Sequence, residues 1–208
     1  MILIGQYDSP FVRRVAIALQ LYGLPYEHRA WSTFGDADKI APINPLMRVP
    51  TLLLGEGKAL VDSAAILDYL DDLVGEDQAM IAPRGPERRD TLRIAALACG
   101  LGDKAVSLFY EGILRKEASE IWVNRCRRQI GAVLEALEAE RGSGAYWIGD
   151  TLSHADIAVA CNIRFVGEAH PDLLAEANCP KLKAGAERCE SLPVFQDTSS
   201  PLAGPSGD

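Results

Sequence analysis

The sequence predicts an α/β domain followed by an all-helical domain, and three observations support this prediction. Short strand and helix signals alternate up to about residue 78. A stretch rich in proline and glycine follows. The remainder shows long helical patterns without strand signals. We therefore expect an N-terminal domain over 1–78 with a mixed four-stranded sheet, a linker over 79–86, and a helical domain over 87–208.

The N-terminal region predicts the order strand, helix, strand, loop, strand, strand, helix. Glycines at a short turn between the last two strands are typical of a hairpin. The first two strands are joined through a helix and should be parallel, so the hairpin extends a parallel pair into a mixed sheet. The expected elements are strands at 2–5, 26–31, 51–54 and 59–61, with helices at 10–21, 39–41 and 63–74.

The C-terminal region predicts long helices at 87–116, 117–141 and 153–168 and a short one at 181–190. Its tail, 199–208, is rich in Ser, Pro and Gly, and we expect it to be frayed. His154 and Asp156 have the spacing of a catalytic pair. However, Ser153 with Asp156 three residues later resembles a capping box, so we interpret this stretch as structural.

Composition and charge exclude several classes of protein. Apolar residues make up 48% of the chain, which is typical of a globular protein, and the net charge of −8 argues against nucleic-acid binding. No apolar run approaches the ~20 residues that span a bilayer, and the start reads as a strand and not as a signal peptide. The five cysteines form no CxxC pair, which favours buried, reduced thiols in a cytoplasmic protein.

Two short motifs predict a binding site for a small acidic peptide. Val49 precedes Pro50 at the start of a strand, where it should be extended with its N–H and C=O directed away from the sheet. An extended peptide could pair with this edge. Asp62 and Ser63 open a helix, whose N-terminal N–H groups attract a carboxylate.

The motifs together resemble the cytosolic glutathione S-transferase family, in its bacterial form with a serine at the active site. The resemblance covers nearly the whole chain. It implies a thioredoxin-like N-terminal domain, a helical C-terminal domain, a homodimer and a cis bond between Val49 and Pro50. The motifs that carry it are Ser9-Pro10-Phe11-Val12-Arg13-Arg14-Val15, Asn44-Pro45, Val49-Pro50, Asp62-Ser63-Ala64-Ala65-Ile66 and Gly149-Asp150-Thr151-Leu152-Ser153-His154-Ala155-Asp156.

The resemblance also implies roles for individual residues. Ser9 is expected to activate the glutathione thiol, with Tyr7 as its rival at the same strand end. Since no cysteine lies at this position, a thiol-disulfide role is disfavoured. The residues expected to bind glutathione are Phe11, Arg48, Val49, Pro50, Asp62 and Ser63. An apolar pocket for an electrophile is expected to include Tyr7, Arg93, Leu97 and Tyr110.

The function implied is transfer of the glutathione thiolate to small hydrophobic electrophiles. Glutathione is then a co-substrate, and no prosthetic group or metal is expected. Two alternatives stay open: a glutathione-binding or partner-binding protein without useful turnover, since fold alone does not prove chemistry, and a glutathione-dependent peroxidase or isomerase.

Overall fold

A computed structural model describes residues 1–55 and 57–204 of the chain. The strands are β1 (Ile2–Ile4), β2 (Glu27–Arg29), β3 (Thr51–Leu53) and β4 (Ala59–Val61). The helices are α1 (Pro10–Leu21), α2 (Ala37–Ile40), α3 (Ser63–Val74), α4 (Gly85–Leu114), α5 (Glu120–Glu140), α6 (His154–Ala169), α7 (Pro171–Glu176), α8 (Pro180–Glu190) and α9 (Pro193–Asp197). Two compact units divide the chain: Met1–Met80 with the segment from Leu192 onward, and Ile81–Ser191.

The sheet of the first unit has the strand order β2-β1-β3-β4. β1 pairs with β2 in parallel, and β3 pairs in the antiparallel sense with both β1 and β4. The predicted mixed four-stranded sheet is therefore confirmed. Glu56, which belongs to the predicted hairpin turn, lies outside the described residues.

The core of the first unit forms where α1 and α3 pack with the sheet. Leu3, Val15, Leu52, Ile66 and Leu70 are all fully buried in one cluster. Ile66 and Leu70 are one helical turn apart, so they lie on the same face of α3. Burial of these side chains fixes the helices on the sheet and thereby fixes the loops at its edge.

The second unit is built around α6, which is buried over almost its whole length. A helix that is buried on nearly all sides is typical of the centre of a helical bundle. Ser153 and Asp156 form the capping box at its start, so the structural interpretation of this stretch is confirmed. Across residues 1–55 and 57–204, no helix is both long and apolar enough to span a membrane.

The structure differs from the sequence prediction mainly toward the C-terminus. The short helices α7 and α9 were not predicted, and residues 115–119 separate α4 from α5. Residues 192–204, expected in the helical domain, cluster with the first unit. The tail also differs from a frayed end, since the Ala203 N–H donates a hydrogen bond to the Asp8 carboxylate. The last four residues, 205–208, lie outside the described chain.

Candidate functional site

The predicted site residues of the first unit converge at one edge of the sheet. In the register, Ile4 of β1 is opposite Thr51 of β3, which is opposite Val61 of β4. Because β3 is antiparallel to both neighbours, its beginning lies beside the ends of β1 and β4. The loop with Tyr7 and Ser9, the Val49-Pro50 pair, and the Asp62-Ser63 pair therefore start from the same edge.

Ser9 is the N-cap of α1. Its φ and ψ of −71° and 120° are extended, and its hydroxyl oxygen accepts a 3.4 Å hydrogen bond from the Val12 N–H. Pro10 follows at the first helical position, where its missing N–H costs nothing. This cap uses an oxygen lone pair, so the O–H proton of Ser9 can be donated to an anion at the helix N-terminus.

Tyr7, the alternative to Ser9 as the residue that activates the thiol, contacts other aromatic residues. Its hydroxyl lies 2.9 Å from the Tyr26 hydroxyl, and its ring stacks on His28 at a centroid distance of 3.9 Å. Burial, followed by the hydrogen bond to Tyr26, raises the pKa of Tyr7 well above its ordinary value. Burial therefore disfavours the Tyr7 phenolate, and the Tyr7 hydroxyl already has a hydrogen-bond partner in Tyr26.

Val49 presents its backbone at the site edge. The Val49–Pro50 bond is cis, as the resemblance implies. Within the described chain, neither the N–H nor the C=O of Val49 takes part in a backbone hydrogen bond. Gly5, with φ of +130°, makes this placement possible: a Cβ there would lie 2.8 Å from the Val49 Cβ and 2.5 Å from Val12 Cγ2.

Asn44 fixes the loop that carries Val49. It is 1% exposed, and its Nδ2 donates to the Arg48 C=O and to Thr51 Oγ1, both at 2.9 Å. Its Oδ1 accepts from the Leu46 N–H at 3.0 Å. The predicted ligand Arg48 is an exposed residue of this loop. Asn44 therefore determines the path of the chain on both sides of the cis bond.

Replacing Asn44 with alanine is expected to lower the free energy of unfolding by about 2 kcal/mol. The reason is that the groups which Asn44 bonds in this loop would each lose a hydrogen bond. Urea unfolding followed by circular dichroism would measure the loss. The matched control is Asn124→Ala at an exposed position of α5, where a change within about 0.5 kcal/mol is expected. Equal losses in both variants would contradict the role given to Asn44.

The start of α3 supplies the other end of the site. Asp62 is the N-cap, and its carboxylate accepts a 2.8 Å hydrogen bond from the Ala64 N–H. Ser63 is 5% exposed, and its hydroxyl accepts from Arg14 Nη1 at 3.4 Å. The Ser63 N–H makes no backbone hydrogen bond to another described residue. The helix start therefore combines a carboxylate with an N–H donor.

Unusual backbone geometry marks the same edge. Met47 and Asp62, with φ of 49° and 73°, are the residues other than glycine with positive φ in the described chain. Such conformations are costly for residues with a Cβ and concentrate at functional sites. Met47 directly precedes the predicted ligand Arg48, and Asp62 is itself a predicted ligand, which agrees with a site in this place.

Phe11, a predicted glutathione ligand, is half-buried in the first turn of α1.

The residues predicted to line an electrophile pocket are less close together than the predicted glutathione ligands. Arg93 and Leu97 lie one turn apart on α4, and the Arg93 guanidinium pairs with both oxygens of Glu140 at 2.9 and 2.6 Å. Tyr110 follows thirteen residues after Leu97, which is about 20 Å along the helix axis. The structure does not bring Tyr110 together with the other two on α4.

Several residues that support the site were missed by the sequence analysis. Arg14 contacts Ser63 from 49 positions away, and Gly5 and Asn44 act on Val49. The order of polar residues along the sequence does not indicate which of them meet across such long separations. The one available signal was the run Arg13-Arg14 inside an apolar helical pattern, since charged residues at core positions require partners.

Matches to family descriptions cover both units. Residues 3–78 match "Glutathione S-transferase, N-terminal domain", and residues 94–193 match "Glutathione S-transferase, C-terminal domain". The chain is 34% identical over 168 residues to the uncharacterized GST-like protein YibF of Escherichia coli, covering 80% of this chain and 82% of that protein. It is 28% identical over 197 residues to glutathione S-transferase U22 of Arabidopsis thaliana, covering 91% and 85%.

Solved structures agree with these matches. A glutathione S-transferase from Methylobacterium radiotolerans, in complex with glutathione sulfonate, aligns with a TM-score of 0.91 at 30% identity, covering 100% of this chain and 97% of that chain. A glutathione transferase family member from Pseudomonas fluorescens Pf-5 with bound glutathione aligns with a TM-score of 0.87 at 32% identity, covering 97% and 99%. The chain therefore belongs to the glutathione S-transferase family.

Proposed function

We propose that this chain binds glutathione at the sheet edge and transfers its thiolate to small apolar electrophiles. The observation that carries the proposal is the convergence of Ser9, Val49 and Ser63 at one edge, set by the register of β1, β3 and β4. The glutathione and glutathione sulfonate in the two solved relatives support it. The proposal includes a homodimer, which the family resemblance implies, and a cytoplasmic location, which the cysteine pattern favours.

The tripeptide binds in an extended conformation. The N–H and C=O of Val49 pair with its cysteinyl unit, and each hydrogen bond contributes about 0.5–1.5 kcal/mol. The γ-glutamyl carboxylate binds at the Ser63 N–H, and the γ-glutamyl ammonium faces the Asp62 carboxylate. In this proposal, Arg48 pairs with the glycyl carboxylate. These contacts read both charged ends of the peptide and set its register.

The register brings the cysteinyl sulfur to Ser9. A cysteine thiol has a pKa of about 8.5, so lowering this pKa by two units requires about 2.7 kcal/mol. A hydrogen bond to a charged group contributes about 1.5–3 kcal/mol. A helix N-terminus adds about 0.3–1 kcal/mol for a nearby anion. The Ser9 O–H and the start of α1 are together sufficient to make the bound sulfur largely a thiolate at neutral pH.

The thiolate then attacks the electrophilic carbon of the acceptor. The thiol proton passes to solvent, the C–S bond forms, and the leaving group departs with its electron pair, as chloride does from a chlorinated aromatic acceptor. A largely apolar pocket suits such an acceptor. We assign Tyr7, Arg93, Leu97 and Tyr110 to the acceptor side of this proposal.

Calorimetry and turnover of the full chain test the proposal. Glutathione is expected to bind with a micromolar to millimolar dissociation constant, and chlorodinitrobenzene is expected to be conjugated. Cysteinylglycine, which lacks the γ-glutamyl group, serves as the control ligand and should bind far more weakly because Asp62 and Ser63 have nothing to recognise. Binding without conjugation of any acceptor would favour a binding protein. No heat at millimolar glutathione would overturn the proposal.

A further inference from the structure

The C-terminal segment, residues 192–203, is attached to the first turn of α1 by a buried arginine. Arg13 is 2% exposed, and its Nε donates to the Thr198 C=O at 3.1 Å while its Nη2 donates to the Phe195 C=O at 2.6 Å. Its guanidinium also lies 5.6 Å from the centroid of the Phe195 ring. Phe195 and Thr198 are both fully buried. The attachment is therefore specific and well packed.

A second attachment lies on the other side of Ser9. The Ala203 N–H donates to the Asp8 carboxylate at 3.1 Å. Asp8 directly precedes Ser9, while the Arg13 N–H donates to the Ser9 C=O at 2.9 Å. The C-terminal segment thus holds the chain just before Ser9 and, through Arg13, the turn just after it. Ser9 is bracketed by two contacts with one segment.

We propose that the C-terminal segment orients the Ser9 hydroxyl, with Arg13 as a positioning residue. This inference rests on the proposed function, because it assigns the segment a task in the activation of the thiol. The first turn of a helix lacks half of its internal hydrogen bonds and is easily displaced. A hydroxyl that must meet a sulfur atom gains from supports on both sides, since small displacements of reacting groups reduce rates strongly.

The chemistry of the attachment is better suited to orienting the first turn of α1 than to merely packing the C-terminal segment against it. Burying a guanidinium is costly unless its donors are paired. Two donors of the buried Arg13 guanidinium are paired, which offsets this cost. Because the guanidinium is planar, these hydrogen bonds fix the orientation of Arg13 relative to the segment as well as its distance from it. Two carbonyls of the C-terminal segment receive these donors. An apolar side chain at position 13 would bury the same surface without fixing the turn that carries Ser9.

Ala203→Pro in the full chain tests the attachment at Asp8, because it removes the donor N–H from an exposed position and leaves the Asp8 charge in place. The matched control is Gly204→Pro, which removes the next N–H along the same exposed tail. Three quantities are measured: kcat with chlorodinitrobenzene, the dissociation constant of glutathione, and the ultraviolet absorbance of the bound thiolate at neutral pH. Ala203→Pro is expected to lower kcat about tenfold and the thiolate absorbance with it. The dissociation constant should change less than about twofold.

Arg13→Met and Arg13→Lys test the other attachment. The lysine variant keeps one donor and is expected to retain more kcat and more thiolate absorbance than the methionine variant, at a similar glutathione affinity. If Arg13→Met does not fold, the Ala203→Pro comparison still decides. Equal kcat and absorbance in Ala203→Pro and Gly204→Pro would overturn the inference, and so would a loss confined to affinity. A wild-type chain that binds no glutathione would instead overturn the proposed function itself.

Discussion

Replacement of Ser9 by alanine is expected to lower kcat for conjugation by about a hundredfold, the loss that follows removal of one preorganised hydrogen-bond donor. The affinity for glutathione should change little, because the contacts at Val49 and Ser63 are retained. Loss of kcat without loss of affinity is the signature of an interaction with the activated sulfur. Steady-state kinetics with chlorodinitrobenzene and calorimetry with glutathione would measure the two effects.

Tyr7→Phe is the matched control, since it also removes one hydroxyl from the loop between β1 and α1. The Tyr7 hydroxyl is bonded to Tyr26, its ring is stacked on His28, and burial raises its pKa. We therefore expect less than about a threefold change in kcat, which is at most 0.65 kcal/mol in the barrier. The reverse pattern, with Tyr7→Phe inactive and Ser9→Ala active, would assign the thiol to Tyr7.

Asp156→Asn is expected to destabilise the protein by about 3 kcal/mol, because one carboxyl oxygen is replaced by an NH2 group that would face the N–H donor of Trp147 or of Ser153. Asp156 accepts from the Ser153 N–H at 3.0 Å, from the Ser153 hydroxyl at 2.6 Å and from the Trp147 N–H at 2.9 Å. It is 4% exposed and lies in the first turn of α6, the central helix of the second unit. Chemical unfolding would measure the change.

The dependence of this effect on pH has a definite sign. Burial raises the pKa of Asp156 above its ordinary value, although its hydrogen bonds act in the opposite direction. A carboxyl with a raised pKa contributes stability that is present below its unfolded pKa and lost as the pH rises through its folded pKa. The stability difference between wild type and Asp156→Asn should therefore be largest at acid pH. Asp150→Asn, at an exposed loop position, is the control, and a loss as large as that of Asp156→Asn would refute the role of the buried cap.

Local signals explain why much of the fold could be predicted. α1 and α3 begin and end where the sequence predicts, because Ser9-Pro10 and Asp62 mark their starts and an apolar period runs through both. α7 and α9, with six and five residues, are too short to show a helical period. Their existence depends on packing, as the buried Phe195 of α9 illustrates.

The candidate site likewise has residues that the sequence predicted and residues that it did not. Ser9, Val49 and Ser63 belong to short motifs and could be identified from the sequence. The residues that hold them could not, because Arg13 acts on a segment more than 180 positions away and Asn44 acts through a loop whose path only the fold reveals. The contact between the Tyr7 and Tyr26 hydroxyls, 19 positions apart in the sequence, likewise depends on the folded path of the chain.

A crystal structure of the full chain with bound glutathione tests the central claim most directly. We predict the cysteinyl backbone paired with Val49, the γ-glutamyl carboxylate at the Ser63 N–H, and the sulfur within hydrogen-bonding distance of the Ser9 hydroxyl. A sulfur atom facing the Tyr7 hydroxyl, or a tripeptide bound away from the Val49 edge, would contradict the account.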